Sequence, residues 1–224
     1  KALGFAVMIR VFTLAFAGIE GATSSLLIIL SILTMTTGNV IAIAQTNIKR
    51  LLGYSSIAQA GYIMMGLCAF NDQGFAAVLV YLLAYAFTNL GAFVVVIILA
   101  NKTGSDDLDA YSGLAKRSPM LAACLTIFLL SLAGIPPLAG FIGKFYVFAA
   151  VIEAHMYGLA IAAAINSAIA AFYYFKVVRA MYLVPAKSEE TIGFNPSLTF
   201  ALLLMLTGTV AMGLAPGALS LIHI

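Results

Sequence analysis

The sequence predicts an all-α integral membrane protein of about seven transmembrane helices, one of them discontinuous, forming a single transmembrane domain over residues 1–224. Three observations predict it. Hydrophobic residues make up 63% of the 224 and charged residues only 8%, with a mean hydropathy of +1.10, whereas soluble domains carry about 25% charged residues. Charge and turn residues cut the chain into apolar segments, most of which have the ~17 to 25 residues that a helix needs to cross about 30 Å of hydrocarbon. The basic residues then fall on alternate connections only.

The segments run as follows. Residues 1–17 carry Lys1 and Arg10 in an otherwise apolar stretch. Arg10 lies near the end of the segment, so its guanidinium reaches the headgroup region and is read as an anchor. Residues 24–44 hold Thr34, Thr36, Thr37 and Asn39, and residues 53–70 hold Ser55, Ser56, Gln59 and Tyr62. Ser55, Gln59 and Tyr62 are spaced i, i+4, i+7, which places them on one helical face. Residues 75–100 contribute Tyr81, Tyr85, Thr88 and Asn89. Residues 119–152 are too long for one straight span, since 34 residues would measure ~51 Å as a helix. The run Gly134-Ile135-Pro136-Pro137 removes two backbone donors near its centre, so this segment reads as two half-helices broken at 134–137. Residues 157–184 and 197–219 complete the set.

Orientation follows from the connections. Alternating helices send Lys49, Arg50, Lys102, Lys116, Arg117, Lys176, Arg179 and Lys187 to one side, and Glu20, Asp72, Glu153, His155 and His223 to the other. The positive-inside rule makes the basic side cytoplasmic and puts the C-terminus on the opposite face. The connection Asn101 to Ser118, with Asp106, Asp107 and Asp109, reads as a solvated cytoplasmic loop, and Glu153 and His155 as wet loop residues.

Several function classes are set aside. The net charge of +3 comes from the loops and has no basic run or aromatic platform beside it, so no nucleic-acid partner is expected. Cys68 and Cys124 lie in apolar segments without ligand spacing, so neither a metal site nor a disulfide is expected. Phosphate-binding loops, nucleophile elbows and iron–sulfur cysteine patterns are not visible in the sequence, and no catalytic residue is assigned. The chain opens at Lys1 without Met or a basic-then-apolar leader, and is expected to be the interior of a longer protein.

Lys144 carries the functional reading. An ammonium in a bilayer costs at least roughly 2.5 to 3.5 kcal/mol on insertion scales, and this one is too far from either interface to snorkel. Beside a broken helix, such a charge points to passage of a proton or another cation. Hydroxyls, amides and water can pass protons along a hydrogen-bonded file, and Ser55, Gln59, Tyr62, Tyr81 and Tyr85 are the candidate relay or water-binding groups. For any single hydroxyl the competing reading is interhelical hydrogen bonding in a bundle rich in Gly and Ala. The buried segments contain no Asp or Glu, which favours protons over sodium, although carbonyls freed at residues 132–136 leave sodium open.

Two blocks carry a family resemblance. GNVIAIAQTNIKRLLGYSSIAQAGYIMMGL, residues 38–67, resembles the motif of the antiporter-like membrane subunits of respiratory complex I. DLDAYSGLAKRSPMLAACLTIFLLSLAGIPPLAGFIGKFYVF, residues 107–148, resembles the subunit N type of the bacterial proton-translocating NADH:quinone oxidoreductase, which has counterparts in chloroplasts (the B-type subunit) and in mitochondria (subunit 2). The resemblance implies the C-terminal half of a fourteen-helix antiporter-like fold. Lys144 then matches the lysine of the broken twelfth helix, and Lys1 the central lysine of the eighth; both are implied proton-relay groups. Several relatives place a histidine where this chain has Gln59, which cannot titrate, so a relay through it must use bound water. NADH, FMN, iron–sulfur clusters and quinone are implied in partner subunits and no cofactor in this chain. Implied surroundings are the lipid bilayer, protons, other membrane subunits of a respiratory complex and, for localisation, the bacterial inner membrane. Protons would reach Lys1 from the cytoplasm and pass by water, Gln59 and tyrosine hydroxyls to Lys144, with the bent fifth segment as hinge. The alternatives are a subunit of a multisubunit cation (sodium)/proton antiporter, which shares the helix plan, and a structural membrane spacer.

Overall fold

A computed structural model of the chain describes residues 2–15, 20–186 and 196–215. Among them the architecture is all-helical: α1 (Ala2–Ala15), α2 (Glu20–Ile43), α3 (Ile48–Cys68), α4 (Asp72–Thr103), a 3-10 turn (Leu108–Tyr111), α5 (Leu114–Arg117), α6 (Pro119–Ala133), α7 (Ala139–Glu153), α8 (Tyr157–Leu183) and α9 (Pro196–Leu214). Three stretches, Gly21–Ile43, Asp72–Thr103 and Tyr157–Leu183, are long and apolar enough to cross a membrane by themselves. The expected fifth segment consists of α6 and α7, 15 residues each, so each half is only ~22 Å long.

Helix ends extend past the apolar segments because caps, not hydropathy, set them. Asn47 accepts from the Arg50 amide and starts α3 at Ile48, so Lys49 and Arg50 form its first turn. Asn71 does the same for α4 through the Gly74 amide. At its other end α4 runs to Thr103 and stops at Gly104, whose φ of +66 supplies the left-handed cap.

The connection expected to be solvated is largely folded onto the bundle. Asn47 and Asp107 form an antiparallel bridge, Ile48 N donates to the Asp106 carbonyl and Leu108 N to the Thr46 carbonyl, both at 2.8 Å, and Lys49 pairs with Asp106 at 2.8 Å. Leu108, Tyr111 and Leu114 are buried. The buried side chains at 108, 111 and 114, from the 3-10 turn and the start of α5, bring the segment down, and its acidic residues remain at the rim.

Packing centres on α4, which lies against α3, α6, α7 and α9, while α2 lies between α3 and α8. Between apolar helices in lipid the driving force is close packing, which favours small residues. A Cβ at Gly61 would meet the Met35 amide nitrogen at 2.6 Å, and one at Gly38 the Ala58 amide nitrogen at 2.5 Å, so α2 and α3 touch backbone to backbone. Burial is arranged as lipid demands. Leu26, Ile29 and Leu33 on α2 and Phe172 and Phe175 on α8 face outward, whereas Ser55, Gln59, Thr88, Asn39 and Lys144 are buried.

Candidate functional site

The site is built where α6 stops. Gly134 turns the chain at φ +90, and its amide returns to the Leu130 and Ser131 carbonyls. A helix end leaves its last carbonyls without intrahelical partners and carries partial negative charge. Two of those carbonyls are taken by side chains from other helices. Gln59 Nε2 of α3 donates to the Leu132 carbonyl at 3.0 Å, and Lys144 Nζ of α7 donates to the Ala133 carbonyl at 2.9 Å. The buried ammonium thus sits at the negative end of a half-helix, which offsets part of its desolvation without a carboxylate partner among the described residues.

Lys144 is 6% exposed and is held from two more directions. Its Nζ donates to Ser167 Oγ of α8 at 3.3 Å and lies 4.6 Å from the centroid of the Tyr62 ring on α3, within cation–π range. A Cβ at Gly134 would meet Lys144 Cδ at 2.8 Å, so the glycine provides both the turn and the room for the lysine stem. The far side of the break is closed by Ser131, whose Oγ accepts from the Gly140 amide at 2.9 Å and pairs with Thr88 at 3.1 Å. The Pro136-Pro137 peptide is cis, and Gly213 of α9 packs directly on the Pro137 carbonyl.

Around this centre lie two polar groups. In the first, Tyr81 donates to Gln59 Oε1 at 2.6 Å, Gln59 Nε2 also reaches Tyr174 at 3.3 Å, and Tyr174 bonds Ser55. In the second, Asn39 Nδ2 donates to Tyr62 Oη at 3.2 Å and to Asn166 Oδ1 at 3.1 Å, and Tyr173 donates to Asn39 Oδ1 at 3.0 Å. Asn166 Nδ2 continues to Thr36 at 3.1 Å.

The structure therefore brings Ser55, Gln59, Tyr62 and Tyr81 together with Lys144 and the break at Gly134, Pro136 and Pro137. Tyr85 donates to Ser56 at 2.8 Å. Lys1 lies outside the described residues, as do Lys187 and His223. Arg10 is exposed, and His155 is an exposed loop residue bonded to Tyr157. Sequence reasoning did not single out Asn166, Ser167, Tyr173 and Tyr174. Their i, i+7 spacing marks one face of α8 and was the available signal, but Tyr173 and Tyr174 lie between Phe172 and Phe175 in an aromatic run that masks it. Chemically, the arrangement offers one amine that can hold or release a proton, with one hydroxyl, that of Ser167, against it and able both to give and to accept. Among the described residues no group of His, Cys, Asp and Glu is placed to hold a metal ion.

Comparison with known proteins agrees with this anatomy. Residues 1–170 match the family described as NADH:quinone oxidoreductase/Mrp antiporter, TM. The chain is 44% identical over 220 residues to NADH-quinone oxidoreductase subunit N of Desulforamulus reducens, covering 98% of this chain and 46% of that relative. It thus spans about half the length of the curated relatives it matches. Among solved structures, a chain of respiratory complex I from Thermus thermophilus with bound aureothin superposes with a TM-score of 0.77 at 34% identity, over 88% of this chain and 45% of that one. A chain of the Mrp complex from Dietzia sp. superposes with a TM-score of 0.88 over 97% of this chain and 49% of that one; at 22% identity this likeness speaks for the fold alone. A broken helix carrying a buried lysine, in an all-helical bundle that matches this family over most of its length, places the chain: it belongs to the NADH:quinone oxidoreductase/Mrp antiporter transmembrane family and, within it, sides with the subunit N type.

Proposed function

We propose that this chain is one half of a proton-translocating membrane subunit of a respiratory NADH:quinone oxidoreductase, and that Lys144 is a working charge in its relay. The observation that carries the reading is the Lys144 ammonium, buried at the C-terminal end of α6 against the Ala133 carbonyl and Ser167. A spacer gains nothing from an amine in that position, whereas a relay needs a group whose charge responds to small changes around it. The names of the relatives support the parent complex.

In this reading the seven helical segments each cross the bilayer, α6 and α7 together as one, with the basic connections cytoplasmic and the C-terminus on the other face of a bacterial inner membrane. Protons arrive through helices outside this chain, by way of Lys1, and the cluster of Gln59, Ser55, Tyr62 and Tyr81, with Tyr85 on Ser56 beside it, hydrates and orients the path to Lys144. Redox chemistry and its cofactors belong to partner subunits, and their energy reaches Lys144 as a change of charge or hydration at the break.

The second reading, a subunit of a sodium/proton antiporter, draws on the family description, which includes Mrp. The test is NADH-driven pumping by the parent complex in proteoliposomes prepared with and without sodium. Full proton uptake in sodium-free buffer supports the proton reading. Uptake that requires sodium contradicts it and favours the antiporter.

A further inference from the structure

The immediate neighbours of the Lys144 ammonium are the Ala133 carbonyl, the Ser167 hydroxyl and the face of the Tyr62 ring. Of these, only Ser167 can take a proton from the amine and also hand one on. The backbone carbonyl has none to give, and the ring presents its face. Ser167 is in addition a side-chain neighbour of the Tyr62 hydroxyl. It is half-buried, whereas Lys144 and Tyr62 are buried, so among the three it is the most exposed.

Gln59 has none of these advantages. Its amide nitrogen is committed to the Leu132 carbonyl and Tyr174, and its oxygen to Tyr81. An amide nitrogen donates but does not accept. The Tyr62 phenol is meanwhile fixed by Asn39, which is itself held by Tyr173 and Asn166, so α2 and α8 set where the Tyr62 oxygen stands.

We propose that Ser167, with Tyr62 behind it, is the group through which Lys144 exchanges its proton. The inference rests on the reading of Lys144 as a working charge and names the other party to its proton transfer. One ammonium proton passes to the Ser167 oxygen as the serine's own proton leaves to a water molecule, with Tyr62 beside it. One proton enters the hydroxyl, one leaves, and Lys144 ends neutral. Rotation of the hydroxyl resets it. Asn39 is a positioning residue here, acting through Tyr62.

The experiment uses the intact parent complex in proteoliposomes, normalised to assembled complex, with Ser167→Ala, Ser167→Thr, Tyr62→Phe and Lys144→Ala compared for initial rate of NADH-driven proton uptake. Loss of a positioned proton-transfer group is expected to slow uptake by about tenfold or more in Ser167→Ala. Tyr62→Phe, which retains the ring beneath the ammonium, is expected to fall as well, and Ser167→Thr, which restores the hydroxyl, to recover most of the rate. Wild-type uptake in Ser167→Ala, or equal loss in the Ala and Thr variants, would overturn the assignment. If Lys144→Ala alone abolishes uptake, the reading of the lysine stands and only the Ser167 step fails. If Lys144→Ala also pumps normally, the underlying reading fails and takes this inference with it.

Discussion

Gly134 and Lys144 share one small volume at the helix break, so the lysine's position depends on an atom that glycine does not have. Gly134→Ala forces a left-handed residue to carry a Cβ and pushes it against Lys144 Cδ. A non-glycine residue held there costs of order 1–3 kcal/mol. The expected outcome is a lower unfolding temperature of the purified complex together with reduced pumping; an unchanged melting curve would show that the turn relaxes freely. Tyr81→Phe takes away the donor to the buried Gln59 oxygen, and an acceptor left unpaired costs about 1–3 kcal/mol, again read as lowered thermal stability. Tyr111 is the opposite case. Its hydroxyl is buried without a hydrogen-bond partner among the described residues, and burial, then the Asp106 carboxylate, pushes the phenol up from its ordinary range. It stays neutral at any working pH. Tyr111→Phe removes a polar atom that has no bond to lose and is expected to leave stability unchanged or slightly raised; a clear drop in melting temperature would show a partner for it.

At the scale of elements, the break was legible and its closure was not. Two successive prolines after a glycine cannot continue a helix, and that much is local chemistry. What holds the two halves together is Ser131, nine residues from the Gly140 amide it receives and on a different helix from Thr88. Pairings of that kind exist only once the chain is folded. Ser131→Ala should therefore loosen the junction, seen as faster amide exchange at the start of α7 than in the unchanged protein; equal protection would contradict the role given to Ser131. The polar face of α3 could be read from its spacing because its surroundings are small and apolar. The matching face of α8 was hidden by aromatic neighbours, two of which, Tyr173 and Tyr174, turn inward while Phe172 and Phe175 turn out. Helix ends were misplaced where Asn47 and Asn71 cap beyond the apolar stretch, since hydropathy is blind to caps. The contact between α2 and α3 depends on Gly38 and Gly61, and Gly61→Leu is expected to reduce the yield of assembled complex on native gels.

For the whole molecule, composition gave the environment, and alternation of charge gave a topology that can be tested from outside. Single cysteines introduced at Lys102 and at Glu153 should be labelled by an impermeant thiol reagent from opposite sides of the membrane, against a quiet background because Cys68 and Cys124 are buried. Labelling from the same side would break the alternation and with it the orientation. On the proposed reading Lys144 connects this topology to function, because the bundle encloses it, the half-helix end stabilises it and the Ser167 hydroxyl lies against it. The most direct measurement is the number of protons translocated per electron by the intact complex in proteoliposomes, with NADH oxidation followed in parallel, for the unchanged protein, Lys144→Ala and Lys144→Arg. A working charge predicts that Ala abolishes or sharply lowers the ratio in a fully assembled complex and that Arg partly restores it. An unchanged ratio in Lys144→Ala would contradict the relay and leave the chain a structural spacer.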